Sequence, residues 1–163
     1  MSHITHDIFF AIARVQADYA RCIDDDRLEE WPSFFLESCI YKITSASSHN
    51  EGYEASVVFA NSRGMLTDRI TALREANIYE RQAYRHILGM PSILPSILGD
   101  DAHGVRTETP FMVARIMLDG TTDLFATGRY LDIWNIGSNV PKLVERLVVC
   151  DSSRFDTLLA IPL

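Results

Sequence analysis

The chain has 163 residues, of which 47% are hydrophobic and 23% are charged, and its formal net charge is −7. This length and composition are typical of a globular protein with a substantial core, so we expect residues 1–163 to form a single domain. An acidic surface repels phosphate groups, which excludes nucleic acid and anionic membranes as expected partners.

The three cysteines, Cys22, Cys39 and Cys150, lie far apart and form no Cys-x-x-Cys pair. This spacing excludes a disulfide framework and a zinc ribbon, and it favours a reducing compartment. The longest uncharged run, His86–Gly99, contains two prolines and is too short to span a bilayer. We therefore expect a soluble, cytoplasmic protein.

The N-terminal segment carries apolar residues at helical spacing, which predicts a helix from Asp7 to Asp26. We interpret Asp24–Asp26 as the solvated end of this helix, because three successive residues point in different directions and suit a cation poorly. A short helical segment over Leu28–Phe35 follows. The apolar stripe consists of Ile8, Ile12, Val15, Tyr19, Cys22 and Ile23.

The next third alternates short strands with a helix. Cys39–Thr44 is typical of a strand, Ser45–Gly52 of a polar loop, and Tyr53–Ala60 of a second strand. Helical spacing then predicts a helix over Ser62–Ala76. The residues Tyr84–Leu88 favour a further strand.

Residues 91–98 read PSILPSIL, a tandem duplication of four residues. Its two prolines and the glycine that follows predict a loop, whose lengthening costs the fold little. The alternative is that its apolar side chains contact a partner.

The last third predicts a meander of long antiparallel strands over Thr107–Leu118, Thr122–Ile136 and Leu143–Asp151. Asp119-Gly120 indicates a two-residue hairpin turn, and Gly128 indicates a bend or bulge.

The chain ends in the apolar sequence TLLAIPL, which we expect to pack into the core or against a neighbouring subunit. Helices that precede antiparallel strands indicate an α+β fold, with the helices lying across one concave face of the sheet.

Sequence patterns of metal and nucleophile chemistry are weak. His3 and His6 have the spacing of two ligands on one helical face, but no third ligand lies near them. None of the cysteines is followed by histidine two or three residues later, so the pattern of a Rieske cluster is absent from the sequence. The sequence also lacks the G-x-S-x-G motif of a serine nucleophile and a glycine-rich phosphate loop.

Residues 79–86 read YERQAYRH and combine acid, base, phenol and imidazole. In a catalytic interpretation, His86 is a general base oriented by Glu80 or Asp68, and Arg81 or Arg85 stabilises an anion. An alternative is a small-molecule binding module, in which a pocket with His86 pointing inward would hold a ligand without reaction.

A protein interface is the interpretation that we favour for this cluster. The window from Arg63 to His86 holds five arginines against three carboxylates, a local surplus on an acidic chain. Arginine and tyrosine are enriched at interfaces. The residues predicted to form an interface or its framework are Arg69, Arg74, Arg81, Tyr84, Arg85 and His86.

Five segments follow one another along the chain: YARCIDDDRLEEWPSFF, MLTDRITALREANIYERQAYRHILGMPSI, PFMVARIM, GRYLDIW and KLVERLVVCDSSRFDTLLAIPL. In this order, from Tyr19 to Leu163, they resemble the small (beta) subunit of aromatic-ring-hydroxylating dioxygenases. The resemblance looks closest to the branch that acts on aromatic acids, with the terephthalate enzyme first and the salicylate, anthranilate and ortho-halobenzoate enzymes next. The PSIL duplication departs from the family pattern.

The resemblance implies a nuclear-transport-factor-2-like cone, with N-terminal helices packed on a strongly curved, mixed and mainly antiparallel sheet. It implies a large (alpha) oxygenase subunit as partner, in an assembly of three large and three small subunits with contacts within the small-subunit trimer. The large subunit would carry the Rieske iron–sulfur cluster and the mononuclear iron, with electrons from NADH arriving through a reductase. This chain itself would hold no cofactor and no catalytic residue.

Overall fold

A computed structural model describes residues 2–54, 56–76, 82–95, 104–154 and 161–163, with side chains from residue 6 onward. Within these ranges the chain contains both helices and strands, and one of the helices is a short 3₁₀ helix, η1. In chain order the elements are α1 (Ser2–Asp24), η1 (Trp31–Phe34), β1 (Phe35–Ser45), α2 (Ala46–Asn50), β2 (Val58–Ala60), α3 (Arg63–Glu75), β3 (Gln82–Leu88), β4 (Ser92–Leu94), β5 (Gly104–Met117), β6 (Thr122–Asn135) and β7 (Lys142–Cys150).

The described strands form one sheet in the order β2-β1-β7-β6-β5-β3, and β4 pairs with β5 beside this path. Strands β5, β6 and β7 form the predicted antiparallel meander. Strand β1 pairs in parallel with β7, so the first of the described strands lies next to the last of them. The sheet is therefore mixed and mainly antiparallel, as predicted.

One face of the sheet is covered by α1, η1 and α3 and carries the core. Strand β5 alternates between buried and more exposed positions, and Thr107, Thr109, Phe111 and Val113 are buried. This period of two directs the buried side chains of a strand to one face.

The predicted apolar stripe of the first helix is buried. Ile12, Tyr19 and Ile23 have at most 4% exposure, so α1 packs its apolar side into the core. Leu163 is also buried: the Tyr19 hydroxyl donates to its carbonyl oxygen at 2.9 Å, and its N–H donates to the Tyr41 hydroxyl at 3.1 Å. The predicted burial of the apolar end is confirmed for residues 161–163, the described part of that segment.

Three local predictions are wrong. The predicted loop Ser45–Gly52 contains helix α2, because the Ser45 hydroxyl accepts a hydrogen bond from the Ser48 N–H and caps the helix. The strand predicted over Tyr53–Ala60 is limited to β2. Ser92–Leu94 of the duplicated sequence is strand β4 and not loop, because it pairs with β5; residues 96–98 lie outside the described residues.

Two glycines in the meander have different uses. The turn after β5 has four residues, not the two predicted, and Gly120 adopts a φ of 86° there. Gly128 lies where β6 approaches β7 closely, and a Cβ atom at this position would overlap the Val149 carbonyl oxygen.

In the described part of the chain, no helix combines the length and apolar character needed to cross a membrane.

Candidate functional site

His86 lies on the edge strand β3 and forms a buried pair with Asp24 at the end of α1. The His86 side chain is fully buried, and its Nδ1 lies 2.6 Å from the Asp24 Oδ1. The His86 backbone N–H also donates to the Asp24 Oδ2 at 2.9 Å. With Nδ1 as the donor, the Asp24 carboxylate accepts hydrogen bonds from both the ring and the backbone of His86. Nε2 is buried and has no hydrogen-bond partner among the described residues.

The Asp24 side chain is 3% exposed, so its interpretation as part of a solvated helix end is wrong. A carboxylate at a helix C-terminus is disfavoured by the helix dipole, and the hydrogen bonds from His86 offset this cost. The pairing also gives an acceptor to the His86 backbone N–H, which lies on the edge strand β3 and would otherwise be available to another chain. Of the two carboxylates predicted to orient His86, Asp68 is exposed on α3 and Glu80 lies outside the described residues.

The other residues predicted to form an interface or its framework divide between core and surface. Tyr84 is 2% exposed, and its ring packs against Phe125 with centroids 4.9 Å apart. The Arg85 side chain points the other way and is 64% exposed, with Nη1 3.6 Å from the Asp24 Oδ2. Arg69 is half-buried on α3. Arg81 lies outside the described residues.

Arg74 joins α3 to the segment that follows α1. Its guanidinium donates to the Asp26 Oδ1 at 2.8 Å, to the Asp26 carbonyl oxygen at 2.9 Å and to the Glu29 Oε1 at 2.7 Å. Asp26 has a φ of 58°, a conformation that aspartate tolerates better than most residues. The hydrogen bond from Arg74 lowers the pKa of Glu29, and the pKa of Arg74 is raised. This contact fixes α3 against the N-terminal region.

A buried ion pair fills the space between α1 and the sheet. The Arg146 Nε donates to the Asp132 Oδ1 at 2.9 Å and its Nη2 to the Asp132 Oδ2 at 2.8 Å, with both side chains fully buried. The guanidinium lies between two rings, 4.2 Å from the centroid of Tyr19 and 4.0 Å from that of Tyr130. Gln16 on α1 also donates to the Asp132 carboxylate, at 3.2 Å.

Burial and pairing shift the pKa values within this cluster in a consistent direction. Burial raises the pKa of Tyr19 and Tyr130, although the Arg146 charge opposes the shift, so both phenols are neutral. Burial is the largest influence on the pKa of Arg146 and lowers it, but the Asp132 carboxylate together with Tyr19 and Tyr130 outweighs burial, and the pKa is raised. The guanidinium therefore stays charged and paired.

Sequence reasoning did not identify Arg146, Asp132 or Asp24. The sequence does contain a signal for Asp132. It lies two residues from both Tyr130 and Trp134, and this spacing places the three side chains on the same buried face of β6. A carboxylate between two inward aromatic residues requires a buried partner. Nothing local indicates that this partner is Arg146.

An open groove runs along α1 beside β3. It encloses about 550 Å³ and is lined on the helix side by Phe10, Ala13, Ala17, Ala20 and Arg21. Its other side is formed by Arg85, His86, Leu88, Gly89, Met90 and Pro91 of β3 and the segment after it. The lining is mainly apolar with a few converging polar groups, a composition typical of binding sites.

The described donor groups do not fit a Rieske cluster or a mononuclear iron. Burial raises the pKa of Cys22 to about 11 and that of Cys150 to about 12, and it also raises that of Cys39, so these thiols are protonated. Within the described ranges, no three His, Cys, Asp or Glu residues are placed to hold a metal. The His3 side chain lies outside them, so the His3–His6 hypothesis is untested.

Known proteins resemble this chain over nearly its whole length. The chain is 52% identical over 152 residues to the subunit beta 1 of the terminal oxygenase component of terephthalate 1,2-dioxygenase from Comamonas sp., covering 93% of this chain and 96% of the relative. It is 32% identical to the anthranilate 1,2-dioxygenase small subunit of Burkholderia cepacia over the full length of both chains.

The fold comparison includes the crystal structure of the beta subunit of a putative aromatic-ring-hydroxylating dioxygenase from Novosphingobium aromaticivorans. That chain superimposes with a TM-score of 0.89 at 32% identity, and the match covers 99% of this chain and 100% of that one. The predicted α+β cone is confirmed. The model of the ring hydroxylating beta subunit family matches residues 18–157. This chain therefore belongs to the family of ring-hydroxylating dioxygenase beta subunits.

Proposed function

We propose that residues 1–163 form, as one domain, the beta subunit of a cytoplasmic terminal oxygenase that acts on an aromatic carboxylate of the terephthalate type. The observation that carries this proposal is the 52% identity to a terephthalate 1,2-dioxygenase beta subunit across nearly the whole of both chains. A match of this extent leaves no large region free for a different activity.

In this proposal the chemistry takes place in a large (alpha) subunit that holds the Rieske cluster and the mononuclear iron and receives electrons from NADH through a reductase. The cysteine pattern of this chain supports that division, because a Rieske cluster requires paired Cys and His ligands and none of the three cysteines is followed by histidine two or three residues later. The beta subunit would hold three large subunits in register within a complex of three large and three small subunits, with contacts among the small subunits.

The interior of the fold supports a structural role. Arg146, Asp132 and the rings of Tyr19 and Tyr130 occupy the space between α1 and the sheet. A free-standing enzyme or ligand-binding module that used this interior would need an open pocket there. The filled interior favours a subunit that supports a partner.

The residues predicted from sequence would divide this role between framework and interface. Tyr84 and His86 are buried and Arg74 is committed to Asp26 and Glu29, so we assign these three to the framework. The exposure of Arg85 suits it to an interface. Arg69 and Arg81 remain predicted members of the same surface.

A second candidate is a stand-alone dehydratase, cyclase or isomerase of cone fold with His86 as general base. The observation that favours it is the Asp24–His86 pair, which orients the imidazole as a catalytic base requires. Against it, the His86 side chain is fully buried and would have to be uncovered before it could contact a substrate.

Co-purification with a large subunit of a terephthalate 1,2-dioxygenase tests the proposal. We expect a complex of defined mass by native mass spectrometry, and turnover of terephthalate only when both subunits and the reductase are present. Turnover by this chain alone, or absence of a complex, would contradict the proposal. His86→Ala separates the two candidates: a loss of turnover by orders of magnitude with unchanged complex mass would favour the catalytic role.

A further inference from the structure

We propose that the groove between α1 and β3 is the docking site for an acidic segment of the large subunit that inserts one bulky apolar side chain. The inference rests on the proposed function, because it requires that such a partner exists. It adds the surface and the chemistry by which the partner is recognised.

The shape of the groove suits a single inserted side chain. Ala13, Ala17 and Ala20 lie at spacings of four and three along α1 and leave depth between the helix and β3. The rim carries Phe10, which is 67% exposed, and Met90, which is 75% exposed. Large apolar side chains beside a concave apolar surface mark an interaction site more clearly than isolated exposed ones.

Two arginines give the groove its charge. The side chains of Arg21 and Arg85 are 63% and 64% exposed, on a chain whose net charge is −7. Their nearest carboxylate contacts in the described residues are long. Arg21 lies 3.9 Å from Asp18 in an exposed pair, which contributes little. Arg85 lies 3.6 Å from the buried Asp24, whose two oxygens are already in hydrogen bonds with His86. Both guanidinium groups can therefore form shorter, bidentate bonds to incoming carboxylates.

The wall of the groove is held in place before any partner binds. Asp24 joins the end of α1 to β3 through the ring and backbone of His86, both in buried hydrogen bonds. A preformed site loses less conformational entropy on binding, which raises affinity. This gives the Asp24–His86 pair a use that requires no catalysis.

The charge distribution argues against a two-fold contact between copies of this chain in which the groove meets itself. A two-fold symmetric contact would place the same patch of each protomer face to face. Arg21 and Arg85 of one protomer would then meet those of the other, and this repulsion disfavours the contact. An acidic segment with an apolar anchor meets both features of the groove.

The test measures the affinity of variants of this chain for the large subunit. Arg21→Glu with Arg85→Glu reverses the charge of the rim, and Ala17→Trp fills the groove at an exposed position. We expect either change to raise the Kd on the order of 100-fold, as loss of desolvated charge pairs or of an anchor pocket does at interfaces. Arg14→Glu, on the same helix but facing the turn between β6 and β7, is the matched charge control, and Ala17→Ser keeps the groove open; both should stay within about twofold.

The possible outcomes distinguish a failure of the groove inference from a failure of the proposed function. Far-UV circular dichroism and Tm of each variant establish that it is folded. If the wild-type chain does not bind the large subunit, the proposed function and the groove both fail. If the wild-type chain binds and the groove variants bind equally well, the groove inference is overturned and the proposed function stands. If the groove variants change only the self-association of this chain and not its affinity for the large subunit, the groove inference is overturned and a second copy of this chain is the occupant.

Discussion

Arg146 and Arg74 make similar bonds in different surroundings. Each guanidinium donates two hydrogen bonds to a carboxylate, Arg146 to Asp132 and Arg74 to Glu29. The Arg146 pair is fully buried, whereas the Arg74 side chain is 38% exposed and that of Glu29 is 63% exposed. Bulk water screens the second pair but does not reach the first, so the same contact geometry has a different effect on stability.

The largest effect should come from Arg146→Ala. It leaves the Asp132 carboxylate buried without its counterion, which we expect to lower the free energy of unfolding by about 3–5 kcal/mol. Urea denaturation measures this change. The matched double variant, Arg146→Met with Asp132→Leu, removes both charges and should lose much less. A loss below about 1 kcal/mol for Arg146→Ala would show that the pair is solvated in solution.

An intermediate effect should follow Asp24→Ala. The backbone N–H and the Nδ1 of His86 lose their acceptor in a buried position, which costs about 1–3 kcal/mol. Urea denaturation gives the total loss, and amide hydrogen exchange at His86 should accelerate. Asp25→Ala, an exposed neighbour, should change stability by no more than about 0.5 kcal/mol. Equal effects of the two variants would contradict a structural role of the Asp24–His86 pair.

The smallest effect should come from Arg74→Ala, with a loss of up to about 1 kcal/mol that depends on salt and pH. Arg74 lowers the pKa of Glu29 below its ordinary value of 4.5, so the stabilisation is present above that value. It disappears as the pH falls through the lowered pKa of the folded state. The Tm difference between wild type and variant should therefore be larger at neutral pH than at about pH 3. A difference independent of pH and salt would contradict an electrostatic origin.

The parts of the fold that depend on local patterns could be predicted from the sequence. The apolar stripe of α1 and the strands of the meander follow from spacings of three to four residues and of two residues. The parallel pairing of β1 with β7 could not, because the paired residues are about one hundred positions apart and no local signal selects them. The capped helix α2 was missed because serine, asparagine and histidine are typical of loops as well as of caps.

The candidate site was predictable only in part, for a related reason. His86 and Arg85 were identified from a cluster of reactive residue types, but the carboxylate that pairs with His86 comes from Asp24, 62 positions away. The acidic run that contains Asp24 has the composition of a solvated helix end, and only tertiary packing distinguishes its first residue from the next two. The charge pattern predicts the residue types of the site but not their partners.

The parallel pairing of β1 with β7 also has a consequence for biosynthesis. Strand β7 lies between β6 and β1 in the sheet and is about one hundred residues after β1 in the chain. During translation, the N-terminal strands β1 and β2 have no place in the sheet until β7 has left the ribosome. Closing such a long-range contact is slow. Docking to any surface that depends on the finished sheet must therefore wait until β7 has been synthesised and has paired with β1.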